Sequence, residues 1–381
     1  MASHLPSFTF HISSLDPRLN PGSRWGISVV PGLLYDFVLK LPLIASDALV
    51  AVFTYRIAVR IFRDKNSAAI ASALWFLNPL VIWVSSGWGM FDTLPTLFTV
   101  LALYFSLKGK FSLAALMLVL SALMKFYAIV LFVPFFILVW RKSGVRGLVL
   151  PLITTTVSLS VSAIPLFFIS SPLSYVTASS PSAEFQYAGL SIWTLFSTIF
   201  SNANFSLISE ILIVLGMTLT YLVIFRSRSP LHDSVTTVCF FLIPIIVLLM
   251  FYKFVGENYF VWMIPFSSII AVNIKRINRA HWSISLVAFI SSITDSLLPY
   301  YMLPVSPWIG GFLIAVLGLV ASDRVAPNGT GIQGITFGKI FLSTLGIISF
   351  GILVLMLITT VSLVREGRNR KVENLANVVP S

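Results

Sequence analysis

The chain has 381 residues, of which 57% are hydrophobic and only 10% are charged. A soluble domain carries about 25% charged residues, so the composition excludes a water-soluble enzyme, together with disordered, collagen-like and coiled-coil proteins. A net charge of +12 would suggest nucleic acid as the partner of a soluble protein. Here the basic residues form short clusters between apolar runs, as in the loops of a membrane protein, and no nucleic-acid partner is expected.

The apolar runs predict an all-α, polytopic transmembrane helix bundle of about 11–12 spans, because a spanning helix needs about 20 mostly apolar residues. The predicted spans are 36–61, 67–86, 92–107, 111–124, 126–140, 147–169, 206–225, 233–252, 259–274, 282–299, 308–322 and 337–363. They form one bundle over 36–363, preceded by an extracytoplasmic segment at 1–35 and followed by a polar tail at 364–381. The single cysteine, Cys239, lies in an apolar run and is predicted to be a core residue.

The basic residues also predict the orientation of the bundle. If 36–61 runs from outside to inside, the inner loops and the end of this helix hold fourteen of the 25 basic residues, whereas the outer side holds five. Residues 62–67 and 141–146 are therefore predicted to be cytoplasmic. The turn at 87–92 and the long loop at 170–205 are predicted to face outward, and long polar-aromatic loops are where sites usually lie. Lys125 is predicted at the outer tip of a hairpin between two short spans.

Acidic residues inside the apolar runs are the first candidates for function. Asp47, Glu210 and Asp295 lie in predicted spans, where a carboxylate is costly unless it is paired or lines a cavity. Asp47 follows Lys40 by two helical turns, which places both on one helix face. A structural, hydrogen-bonded carboxylate is the simplest interpretation of Asp47, and binding of a substrate is the alternative.

Two outer turns combine acids with aromatic residues. Asp92 follows Gly87-Trp88-Gly89-Met90-Phe91, and Glu257-Asn258-Tyr259 precedes a second aromatic run. Aromatic anchors at the membrane interface, with the acid at a helix start, would explain either turn alone. Several outer turns that bring charges to one depth favour a binding site. Asp92 is expected to be only slightly buried, so its substitution should change stability by no more than about 0.5 kcal/mol.

No cofactor is expected from the motifs of the chain. The four histidines, His4, His11, His232 and His281, have no metal-ligand spacing, and there is no phosphate-binding glycine loop. A metal site is therefore not predicted, and a divalent cation has no support in the sequence.

The order of several short motifs resembles the GT-C superfamily of polytopic glycosyltransferases, especially the prokaryotic mannosyltransferase-like members. The motifs are Lys40-Leu41-Pro42, Asp47, Tyr55-Arg56, Leu77-Asn78-Pro79, Trp88 to Pro95, Lys125 and Glu257 to Trp262. The resemblance implies transfer of a sugar, such as mannose, from a polyprenyl-phosphate donor to a lipid, glycan or protein acceptor on the outer face. It implies a multi-pass protein of the plasma membrane whose partners are the lipid-linked sugar and membrane lipids.

The resemblance also implies roles for individual residues. Such enzymes begin with a helix and an acidic outer loop, and this chain is expected to begin inside that loop, so Asp16 and Asp36 are the implied catalytic acids. A carboxylate would act as the general base, and Lys40 or Lys125 would stabilise the departing phosphate. The implied substrate-binding residues are Lys40, Asp47, Trp88, Asp92, Lys125, Glu257, Asn258 and Tyr259.

Two other interpretations remain open from the sequence. Charges inside the spans would also suit a transporter or lipid flippase, although no internal repeat is visible. The expected lack of the first helix would suit an inactive GT-C-like membrane protein. The sequence does not predict an oligomeric state.

Overall fold

The computed structural model describes residues 33–169, 188–200, 205–227, 234–297 and 337–376. Within these ranges the chain is an all-α polytopic bundle, as predicted. The helices are α1 Leu33–Phe62, α2 Lys65–Phe76, α3 Pro79–Ile82, α4 Thr93–Leu107, α5 Phe111–Met124, α6 Phe132–Ile169, α7 Ile192–Ile199, α8 Ser206–Arg226, α9 Ser234–Phe251, α10 Ile264–Ala271, α11 Lys275–Leu297 and α12 Phe337–Ala376. The predicted span at 308–322 lies outside the described residues.

Fewer helices are long enough to cross a membrane than the sequence predicted. In the described part of the chain, five helices have the required length and composition, or six if the bent pair Lys65–Phe76 and Pro79–Trp88 forms one span. The predicted spans at 126–140 and 147–169 run together in the single stretch Phe126–Ile164, and those at 92–107 and 111–124 are helices too short to cross on their own. The predicted span at 259–274 is a 3₁₀ turn, Glu257–Trp262, followed by α10. A bundle tolerates such backbone where it is buried in protein.

Breaks in the bundle follow from individual residues. Asn78 caps α3 by accepting from the backbone N–H of Leu80, and Pro79 begins the helix, which suits a proline because its first turn needs no donor there. A π-helical segment, Trp83–Trp88, continues α3 and ends at Gly89 with a positive φ of 79°. The sequence predicted one helix at 67–86, and the Asn-Pro cap is the reason for the bend of 45°.

Two predicted loops are helical or partly helical. The predicted cytoplasmic loop at 141–146 lies inside α6, which is broken only at Gly144 with φ 67°. The predicted loop at 275–281 is the first part of α11. At the end of the chain, α12 continues into the predicted polar tail. The clusters of basic residues therefore lie on helix ends as well as in loops.

The core is built around α9. Of its most apolar stretch, 83% is buried, and Cys239 is buried within it as predicted. Helix α9 packs against α8, α10 and α12, and this encloses residues that would otherwise face lipid. The most apolar stretch of α6 is only 6% buried.

Side-chain contacts separate the two ends of the bundle. At the end predicted to be cytoplasmic, Arg60 donates to the carbonyl of Leu107 (3.2 Å), and Arg141 donates to those of Ile224 (2.7 Å) and Phe225. These cations neutralise the negative ends of α4 and α8. The segments predicted to face outward, at 87–92, 125 and 253–262, meet at the other end. The contacts agree with the predicted grouping of segments, and the orientation itself stays a prediction.

A strap from the predicted outer loop covers the end of α9. Ala188–Gly189 pairs in parallel with Phe254–Val255, and the hydroxyl of Ser191 and the indole N–H of Trp193 donate to the carbonyls of Tyr252 (2.9 Å) and Phe251 (2.8 Å). Gly189 has φ 74°, and a Cβ there would collide with the carbonyl of Val255. Part of the predicted loop 170–205 is therefore ordered secondary structure that fixes the chain leading to Glu257.

Candidate functional site: a buried ion pair

The site is centred on Asp92, which directly precedes α4. Its backbone is helical, and its side chain makes no capping bond to the first turn of α4. The carboxylate is fully buried, so the expectation of slight burial was wrong. The sequence suggested an exposed turn because glycines and aromatic residues surround Asp92, but the residues that cover it come from distant segments.

Three donors from two of those segments bind the carboxylate. Lys125 Nζ lies 3.1 Å from Oδ1, Trp262 Nε1 donates to Oδ1 at 2.8 Å, and Asn258 Nδ2 donates to Oδ2 at 2.6 Å. Both carboxylate oxygens are therefore hydrogen-bonded, and one is paired with a cation. Such charge-assisted bonds are the strong ones, and they compensate for removing the carboxylate from water.

The backbone around Lys125 and Asn258 explains this convergence. Lys125 is a single extended residue (φ −147°, ψ 129°) between α5 and the 3₁₀ turn Phe126–Leu131. Asn258 and Trp262 lie four residues apart on the 3₁₀ turn Glu257–Trp262, after the strap has fixed Phe254–Val255. Each donor thus comes from a point where the helical ladder is interrupted. The predicted break at Lys125 is confirmed, and its side chain packs against Asp92.

Aromatic rings enclose the ammonium group of Lys125. Nζ lies 4.8 Å from the ring centre of Phe91, 5.0 Å from that of Tyr259 and 5.8 Å from that of Trp262. The indole of Trp262 is stacked between the rings of Tyr127 (4.2 Å) and Tyr259 (4.3 Å). Cation–π attraction adds about 0.5–2 kcal/mol at each favourable ring, more where water is excluded. The cage holds Lys125 in one position, with 16% of its side chain exposed.

The arrangement determines which chemistry is accessible. Asp92 is fully buried and both of its carboxylate oxygens are hydrogen-bonded, so an acceptor hydroxyl outside the protein does not reach it. Lys125 keeps 16% of its side chain exposed. Of the two charged residues, Lys125 is therefore the one that a ligand can approach.

Four of the predicted substrate-binding residues, Asp92, Lys125, Asn258 and Tyr259, form this centre. Lys40 lies beside the same turn, where it donates to the carbonyl of Gly87 at 2.9 Å, and its side chain packs against Gly89. Trp88 ends the π-helical segment and is half-buried.

The remaining predicted acids lie elsewhere. Glu257 is buried rather than at an exposed turn, and its carboxylate accepts from the hydroxyl of Ser291 at 2.8 Å. Asp47 is buried beside Ser85 and Thr93. Asp16 lies outside the described residues, and Asp36 lies in the first turn of α1 with its side chain outside the described part. The roles proposed for these acids stay predictions.

Sequence reasoning missed two features. Trp262 was left out of the site, although its spacing of four residues from Asn258 was a usable signal. The second is a buried network in which His281 contacts Ser267 Oγ (2.9 Å), Asn78 Nδ2 (3.4 Å) and the carbonyl of Leu74 (3.3 Å). Among the described residues, no cluster of three or more histidine, cysteine or acidic side chains is arranged for a metal ion.

Comparison with known proteins gives one family. Residues 26–173 match the family model described as GPI transamidase subunit PIG-U. The match includes Lys40, Trp88, Asp92 and Lys125 and ends before the turn that carries Asn258. No curated protein matches the chain. The similarity agrees with a multi-pass membrane protein, and it does not support the glycosyltransferase interpretation that the motifs suggested.

Proposed function

We propose that the chain is a membrane subunit of an assembly that resembles GPI transamidase, and that its buried ion pair holds a lipid-linked substrate in place without performing the chemistry. The similarity of residues 26–173 to the PIG-U family carries this proposal. The partners would then be the other protein subunits and membrane lipids. We place the protein in the endoplasmic reticulum membrane rather than the plasma membrane.

The geometry supports a positioning role over a catalytic one. A general base must come within hydrogen-bonding distance of the proton that it removes, and Asp92 has no exposed surface. The accessible part of the pair belongs to Lys125, and a lysine ammonium is a compact charge well suited to a phosphate. A phosphate of a glycolipid headgroup would approach Lys125 from its exposed side without disturbing Asp92.

A glycosyltransferase is the second candidate, and one observation favours it. Lys40 and Lys125 both contact the turn 87–92. Lys40 binds the carbonyl of Gly87 at the start of the turn, and Lys125 pairs with Asp92 at its end. Two ammonium groups at one turn would suit the departing phosphate of a polyprenyl-phosphate sugar. The catalytic base would be Asp16 or Asp36.

Depleting the protein in the cells that make it separates the two candidates. A transamidase replaces the C-terminal signal of a protein with the GPI anchor. Loss of a subunit should therefore leave complete GPI lipids and precursor proteins with uncleaved C-terminal signals. Loss of a sugar transferase should instead leave a shortened glycolipid. Mass spectrometry of the lipids and immunoblotting of a GPI-anchored reporter measure both outcomes.

A matched pair of variants tests the part played by the site. Lys125→Met should fail to restore GPI anchoring in depleted cells. Lys65→Met should restore it, because Lys65 is exposed at the first residue of α2 and has no part in the site. Equal amounts of both variants in the membrane must be shown by immunoblotting. Full rescue by Lys125→Met, or a shortened glycolipid after depletion, would contradict the proposal.

A further inference from the structure

Asp47 is a buried carboxylate whose environment differs from that of Asp92. It lies in the middle of α1 with 6% of its surface exposed, and its Oδ1 atom has no hydrogen-bond partner. The hydroxyls of Ser85 and Thr93 lie close to its carboxylate. An ionised carboxylate at such a depth costs a few kcal/mol or more unless something compensates its charge.

The hydroxyls around Asp47 have already directed their protons elsewhere. Ser85 donates to the carbonyl of Val81 (3.0 Å), and Ser46 donates to the carbonyl of Leu43 (2.6 Å). Thr93 Oγ1 lies 2.8 Å from Ser46 Oγ, and because the Ser46 proton is used, Thr93 is the donor in this pair. Because these protons are used elsewhere, the hydroxyl oxygens of Ser85 and Thr93 keep lone pairs close to the unpartnered Oδ1 atom of Asp47.

The backbone at this point is irregular as well. Ser85 lies in the π-helical segment Trp83–Trp88. A π-helical turn is rare and is found frequently at functional sites. In membrane transporters, interrupted helices coordinate sodium ions through unwound backbone carbonyls.

We propose that Asp47, Ser85 and Thr93 bind a dehydrated sodium ion between α1, the π-helical segment and α4. Oxygen ligands suit a hard cation. One carboxylate and one monovalent ion form a neutral pair in a low-dielectric interior, whereas one carboxylate would leave half of the charge of a divalent ion uncompensated. The ion joins α1 to the segment that ends at Asp92, and so it stabilises the turn on which the ion pair is built. This inference rests on the contacts of Asp47 and is independent of the proposed function.

Thermal unfolding of the purified full-length chain tests the proposal. The Tm is measured in detergent at one neutral pH in sodium, potassium and choline chloride of equal ionic strength. A ligand that binds only the folded state raises Tm as its concentration rises, and sodium should give a Tm at least about 2 °C above that in choline. Asp47→Asn should abolish the difference. Asp64→Asn, which removes an exposed carboxylate on the same chain, should keep it.

A second pair of variants keeps the test decisive if Asp47→Asn does not fold. Ser85→Ala and Thr93→Val each remove one oxygen ligand and should raise the sodium concentration that gives half of the stabilisation. Equal Tm values in the three salts would overturn the proposal, as would a sodium effect that persists without Asp47 or is unchanged in both hydroxyl variants. A Tm that depends on pH through Asp47 but not on sodium would show a protonated acid instead.

Discussion

Asp64 and Asp92 each precede a helix of the same bundle, yet they use their carboxylates in opposite ways. Asp64 is exposed and accepts hydrogen bonds from the backbone N–H groups of Asn66 (3.2 Å) and Ser67 (2.8 Å), as a helix cap does. Asp92 leaves the first turn of α4 without a side-chain cap and reaches donors 166 and 170 positions along the chain. An aspartate at the same helix position therefore makes local hydrogen bonds in one case and long-range hydrogen bonds in the other.

The difference shows what burial adds to a carboxylate. At Asp64 water competes with every hydrogen bond, so removing the carboxylate has a small effect. At Asp92 the interior offers no water to replace a lost partner, so breaking the pair strands a charge. The following predictions test this contrast.

The largest effect is expected for Asp92→Asn. The amide keeps the shape but removes the charge that pairs with Lys125. Asn258 and Trp262 donate to different carboxylate oxygens, and the NH2 group that replaces one of these oxygens cannot accept. Removing one partner of a buried pair costs about 3–5 kcal/mol, far more than the value expected from the sequence. Thermal unfolding in detergent should show a large fall in Tm or loss of folded protein.

Two further variants control this prediction. Asp64→Asn should leave Tm nearly unchanged, because asparagine caps helices as well as aspartate. The double variant Asp92→Asn with Lys125→Met removes both charges and should recover part of the stability lost in Asp92→Asn alone. A fall in Tm of equal size in the two single aspartate variants would refute the contrast.

A smaller effect is expected for Trp262→Phe. The phenyl ring keeps the stack between Tyr127 and Tyr259 but lacks the N–H that donates to Asp92. A hydrogen bond to a charged group contributes about 1.5–3 kcal/mol, so the variant should lie between Asp92→Asn and the wild type in Tm. Trp193→Phe, in which the lost N–H bonds to an uncharged carbonyl, is the control and should cost less. The reverse order would show that the charge of Asp92 is not what the indole stabilises.

Lys125→Arg is expected to be less severe again, because the charge remains. The planar guanidinium is larger than the ammonium group that Phe91, Tyr259 and Trp262 enclose, and forcing extra volume into a packed site costs about 1–3 kcal/mol. We expect normal expression, a lower Tm and weaker use of the lipid-linked substrate. Lys65→Arg, at an exposed helix start, should behave as the wild type does. Wild-type stability and GPI-anchoring activity in Lys125→Arg would show that the site needs a positive charge at this position but not the compact ammonium group.

Hydropathy predicted most helices because each apolar run must satisfy its own backbone in a membrane. The boundaries of α4 and α5 differ little from the predicted spans. The number of spans was less predictable because hydropathy does not distinguish lipid from a protein interior. Helix α9 is apolar because α8, α10 and α12 surround it in the protein interior. The most apolar stretch of α6 is left almost uncovered by the rest of the protein, and an apolar surface there suits contact with lipid.

Most residues of the site could be predicted from the sequence, but the contacts between them could not. Asp92, Lys125 and Asn258 were each marked by charge or polarity beside an apolar run. Their convergence depends on the extended backbone at Lys125 and on the strap that fixes Phe254–Val255. Neither follows from residues within one helical turn of Asp92. The role of Asp64, by contrast, depends on the next three residues alone.

The smallest effect is expected at Asp64, and it is the one that pH reveals. Hydrogen bonds from Ser67 and Asn66 lower the pKa of the exposed Asp64 carboxyl below its ordinary value of 3.8. A lowered pKa in the folded state means that the carboxylate stabilises α2 at pH values above 3.8 and that this stabilisation is lost as pH falls through the lower, folded pKa. Amide hydrogen exchange at Asn66 and Ser67 should therefore quicken slightly in Asp64→Ala at neutral pH. Asp64→Asn should retain the protection and remove its dependence on pH in the acid range. Protection that is the same in wild type and Asp64→Ala would mean that the start of α2 is held by its packing against α1 and not by its cap.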